Sequence, residues 1–104
     1  SYFFDANQKH LNKQFEESNL VIQNISKNYS GYPIWSAKSL LLMSKNFYSL
    51  NDSFQAIFIL ETIISNFSQF PNIVSQAKEE LEKIKNVEIN YNSSIDNKKY
   101  EDEI

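Results

Sequence analysis

Ile22-Gln23-Asn24-Ile25-Ser26-Lys27-Asn28-Tyr29-Ser30 returns 38 residues later as Leu60-Glu61-Thr62-Ile63-Ile64-Ser65-Asn66-Phe67-Ser68. Large apolar residues hold the same places in both copies, at Ile22 and Leu60 and at Ile25 and Ile63. Both copies then run out through Asn, an aromatic and Ser. Upstream the same offset pairs Ala6 with Ser44 and Ser18 with Ala56. Small side chains therefore recur where two helices would cross, with bulky ones beside them. Stacked helical hairpins need this arrangement, because one hairpin alone cannot bury its apolar face.

The spacing around these anchors predicts five helices. The first covers about Tyr2 to Leu11 and breaks near Asn12 and Lys13. The second covers about Gln14 to Asn28, with Phe15, Leu20, Val21, Ile22 and Ile25 at helical intervals. Tyr29-Ser30-Gly31-Tyr32-Pro33 reads as a loop, with Gly31 closing one helix and Pro33 opening the next. The third helix covers about Ile34 to Leu50. Asn51-Asp52 is a turn in which Asp52 is a good N-cap and Gln55 suggests a capping box. The fourth, about Ser53 to Phe67, is apolar around most of its circumference, which predicts burial on more than one side. After Ser68-Gln69-Phe70-Pro71, the fifth covers about Asn72 to Lys85. Its narrow stripe of Ile73, Ala77, Leu81 and Ile84 fits a solenoid end cap. Residues 86–104 read as a polar, acidic tail, disordered or ordered only by contact. The predicted fold is all-α: an antiparallel hairpin over about 2–28, a second over about 34–67, and a capping helix over about 72–85. Together they form one helical-repeat domain over residues 1–85.

Composition narrows the function classes. At 104 residues, beginning at Ser1, the chain reads as one small domain cut or processed from a larger protein. One Gly and two Pro suit long helices better than tight β-turns. With no Cys there is no disulfide framework, thiolate metal site or Cys nucleophile. The net charge of -3 gives no electrostatic reason to bind nucleic acid. All the basic residues are Lys, so the guanidinium fork that suits phosphate and guanine is missing. The longest apolar run, Ala56 to Leu60, falls far short of the roughly 20 residues that span a membrane.

The pattern resembles the tetratricopeptide repeat. Its residues appear as Leu40, Met43, Ser44, Phe47, Leu50, Asn51, Ala56, Leu60 and Ile63 in the second unit, and as Ala6, Phe15, Ser18, Ile22 and Ile25 in the first. The stretch from Ala37 to Phe67 also looks like C-terminal repeats of large envelope proteins of Bacteroidota-type bacteria. The sequence departs from the family's pattern in its 38-residue spacing, in Asn51 where a turn Gly is usual, in Ser68 where Pro is usual and in Ser18 where Ala is usual. The resemblance implies a protein-binding scaffold, with a peptide or partner domain in the concave groove lined by the first helix of each pair. It also implies a setting in the bacterial cell envelope or periplasm, with the cytoplasm still open.

By register, that groove would present Phe3, Asn7 and His10 from the first helix, and Lys38, Leu41, Lys45 and Tyr48 from the third. Lys and Asn side chains there can grip a carboxylate or a peptide backbone. The competing reading is an ordinary solvated face. His10 has no second His or Cys near it to make a metal site, and no nucleophilic constellation surrounds it, so it reads as a surface residue. Glu79, Glu80 and Glu82 read as a solvated face. Tyr29, Tyr32 and Trp35 near the loop read as packing between the hairpins, with an exposed aromatic binding patch as the alternative. No catalytic, cofactor or metal site is expected. Against the non-catalytic scaffold stand two rivals: a self-associating domain with the fourth helix as its seam, and a helical accessory domain of an enzyme whose active site lies outside the chain.

Overall fold

The computed structural model describes residues 2–28 and 31–103, with side chains described over 2–24 and 31–95. Tyr29, Ser30 and the side chains of Ile25 and Asn28, all part of the repeat, lie outside the described residues, as do the side chains of the acidic end from Tyr100 to Ile104. The chain is all-α: α1 (Tyr2–Leu11), α2 (Phe15–Asn28), α3 (Pro33–Ser49), α4 (Ser53–Asn66) and α5 (Pro71–Glu103). Each helix packs on the next. The links at 12–14, 50–52 and 67–70 are so short that helices packed along each other must run antiparallel. In addition α1 touches α3 and α3 touches α5, whereas among the described residues α2 and α4 make no contact. The odd-numbered helices therefore lie side by side on one face, with the even-numbered helices behind them.

The repeat is visible in backbone geometry. α1 and α3 both close through a residue in the left-handed region, Lys13 at φ 62° and Asn51 at φ 63°. The amide of Gln14 then reaches back to the Lys9 carbonyl (2.8 Å), and that of Asp52 to the Phe47 carbonyl (2.8 Å). These bonds satisfy carbonyls that a helix end would leave without partners. Asn tolerates the left-handed region and Lys does so at some cost. Gly31, expected to close a helix in this way, does not have positive φ. Pro33 opens α3 from its first turn, and the Asp52 side chain caps α4 by accepting from the Gln55 amide (3.1 Å).

Packing follows the same offset. Ala6 and Ser18 are fully buried, and so are Ala56 and, nearly, Ser44. Ile22 and Leu60 are fully buried beside them. The main core joins Ala37 and Leu41 of α3 to Ala56, Ile59, Leu60 and Ile63 of α4 and to Ile73, Ala77 and Ile84 of α5. A smaller cluster ties Ala6, Ile22 and Leu42 together, and Met43 packs against both.

α4 packs against both α3 and α5, so it is buried on more than one side as expected. Its outer face stays open: Phe54 is 80% exposed and Phe58 61%, one turn apart, and among the described residues no helix covers them. One expectation is corrected: the final helix does not stop at Lys85 but runs unbroken to Glu103. No Gly or Pro follows Pro71, so nothing interrupts the backbone ladder. Val87, Tyr91 and Ile95 continue the Ile84 stripe but are exposed.

Candidate functional site

The side-by-side packing of α1, α3 and α5 decides where the predicted groove residues fall. They divide into two clusters and one core residue. Toward the start of α1 and α3, Phe3 stacks obliquely on Trp35, with ring centroids 5.4 Å apart at 51°. The ammonium of Lys38 sits 4.8 Å from the Trp35 ring centre, in the attractive zone of the ring's negative face. Trp35 thus bridges the two hairpins but stays 41% exposed, and Tyr32, expected to pack there too, is 59% exposed. Asn7 is half-buried between the clusters. Leu41 is not a groove residue. It is 7% exposed and belongs to the main core against α4 and α5. α5 packs on the side of α3 that carries Leu41 and covers it.

The second cluster surrounds a cavity of about 240 Å³ lined by His10, Ser44, Lys45, Tyr48, Ser49, Leu60, Glu80 and Ile84. α1 contributes His10, α3 Lys45 and Tyr48, and α5 Glu80, while Leu60 and Ile84 supply apolar wall. Three predicted residues therefore converge. Glu80, read as part of a solvated face, joins them because α5 lies against α3.

His10 is not a free surface residue either. Behind it lies a buried polar chain. Ser18 Oγ donates to the Ala6 carbonyl (2.7 Å) across the α1–α2 crossing. With its only hydrogen used, Ser18 Oγ can accept, and Asn46 Nδ2 donates to it (2.8 Å). The same amide nitrogen donates to Asn19 Oδ1 (2.8 Å). Asn46 Oδ1 then faces His10 Nδ1 at 2.7 Å. An amide oxygen cannot donate, so Nδ1 carries the hydrogen, and Nε2 of the neutral ring keeps its lone pair. Phe15 holds the ring edge-on, 5.5 Å between centroids. Asn46 is fully buried, and every polar atom of its side chain is satisfied. Its sequence signal was a lone Asn one turn beyond Leu42, on a face otherwise apolar.

Lys45 and Glu80 are not within ion-pair distance of each other; among the described residues the ion pairs are Lys9–Asp5 (3.0 Å) and Lys85–Glu61 (3.9 Å). Among the described residues no three His, Cys, Asp or Glu side chains gather as metal ligands, and no helix is long and apolar enough to cross a membrane. Compared with known proteins, the chain matches no family model, no curated protein and no solved structure.

Proposed function

We propose that the chain is a non-catalytic protein–protein interaction scaffold of the tetratricopeptide type, part of a larger subunit in a multi-protein assembly, which receives its partner on the face made by α1, α3 and α5. The observation that carries this reading is the convergence of His10, Lys45 and Tyr48, predicted from repeat register alone, on one cavity between the odd-numbered helices. The shared environments of Ala6 and Ser44, of Ser18 and Ala56, and of Lys13 and Asn51 support the repeat on which that register rests. A bacterial envelope setting belongs to the same proposal and rests on the resemblance.

Affinity capture from the native cell, followed by mass spectrometry, tests the reading. A stable set of partners whose capture drops with Lys38→Ala and Lys45→Ala together supports it. Undiminished capture by the folded double variant rejects this face as the contact.

One observation favours a second reading, self-association. Phe54 and Phe58 form an exposed aromatic pair on α4, of a kind that marks contact surfaces when part of a larger apolar patch. Sedimentation of the wild type against a Phe54→Ser, Phe58→Ser variant separates the cases. A dimer lost on substitution makes α4 the seam, and a monomer in both removes this reading.

A further inference from the structure

The cavity beside His10 has polar groups in a fixed order across the three helices. α3 lies between α1 and α5, since it touches both and, among the described residues, they do not touch each other. On α1, the neutral His10 ring offers a lone pair at Nε2, because Asn46 Oδ1 accepts from Nδ1. In the middle, Lys45 of α3 offers an ammonium, a donor only, beside the Tyr48 and Ser49 hydroxyls, which donate or accept. On α5, Glu80 offers a carboxylate, an acceptor only. The order is acceptor, donor, acceptor. Lys45 and Glu80 lie on one cavity without pairing to each other or to any other described residue. A ligand that satisfies His10, Lys45 and Glu80 together is donor, acceptor, donor, with positive charge at the Glu80 end.

The amino terminus of a polypeptide has this sequence of groups: an α-ammonium, a carbonyl oxygen, then the next amide N–H. We propose that this cavity captures the free amino-terminal residue of a partner polypeptide. The α-ammonium pairs with Glu80, the first carbonyl accepts from Lys45 and Tyr48, and the second residue's N–H donates to His10 Nε2. The volume of about 240 Å³ holds one residue rather than a folded element. A carboxyl terminus fits less well, since Glu80 would repel it and it brings no charged donor. The proposal rests on the odd-helix face being the partner surface and specifies which part of the partner enters it.

The test uses the whole chain, isotopically labelled, titrated by NMR with a leucyl-alanyl-alanine amide whose amino group is free, and with the same peptide acetylated. So few contacts imply an affinity near ~1 mM, so the titration runs to about 10 mM. The proposal expects shifts at His10, Tyr48 and Glu80 with the free amine. It expects at least ~10-fold weaker binding after acetylation, and a similar loss in Glu80→Gln, whose charge changes while its shape is kept. Equal binding of the acetylated peptide at the same residues overturns amino-terminal capture but leaves the face as a peptide site. Binding of neither peptide at 10 mM, or shifts confined to the Phe54 and Phe58 face, overturns the proposal. The native-partner capture described above then decides the fate of the face independently.

Discussion

Asn46→Ala is the substitution that most directly probes how the two hairpins are joined. Asn46 donates to Ser18 and Asn19 on α2 and accepts from His10 on α1, all at 2.7–2.8 Å. Each such bond contributes about 1 kcal/mol net, and stranding a buried partner costs more. Ser18 keeps its bond to the Ala6 carbonyl and His10 is half-buried, so water can reach part of what is lost. The expected loss is therefore about 2–4 kcal/mol. Against the ~5–15 kcal/mol typical of a domain this is a large fraction. It corresponds to a fall in Tm of roughly 10–25 °C at this size. Urea unfolding followed by circular dichroism measures it, with an unchanged slope expected if only stability moves. The repeat supplies the control. Gln8 holds the position one repeat earlier, where it is exposed, and Gln8→Ala should stay within about 0.5 kcal/mol of wild type. A loss below about 1 kcal/mol for Asn46→Ala, or an equal loss for Gln8→Ala, would refute the reasoning.

Other outcomes follow from single positions. Ala56→Phe places a ring where α3 and α4 cross, and should cost about 1–3 kcal/mol or more by overpacking; a variant that keeps its Tm contradicts the crossing. Ser39 is fully buried with a hydroxyl that has no hydrogen-bond partner, so Ser39→Ala should stabilise by about 1 kcal/mol in the same urea assay, and a destabilised variant would mean that the hydroxyl has a partner. Lys13→Gly relieves a left-handed residue and should stabilise by about 0.5–1 kcal/mol, whereas Asn51→Gly, replacing a residue that tolerates φ 63°, should gain less. If both changes give the same gain, tolerance of the left-handed region does not explain the residue at each turn.

Helix number and most boundaries were legible because small and large residues recur at one offset, and because Pro33, Asp52 and Pro71 punctuate the chain. The end of α5 was missed for a definite reason. The polar residues around Val87, Tyr91 and Ile95, with Ile89 off their line, obscured a three- to four-residue step that continues the stripe from Ile84, and propensity without a breaker was enough to carry the helix on. The site was half legible. Register grouped His10, Lys45 and Tyr48, which line one cavity, but it could not show that α5 would cover Leu41 or bring Glu80 to the same place. Both depend on the angle at which a third element docks, which periodicity within one helix does not encode. Asn46 was readable in principle, since a lone amide among Leu42, Met43 and Phe47 asks for buried partners. Its partners sit on two other helices, and no local pattern connects them.

The central claim is that the partner binds across the odd-numbered helices. NMR mapping of the labelled chain with a partner captured from the native cell tests it most directly. The account predicts shifts at His10, Lys38, Lys45, Tyr48 and Glu80, with Phe54 and Phe58 undisturbed. Shifts at Phe54 and Phe58 with the odd-helix face silent would contradict it.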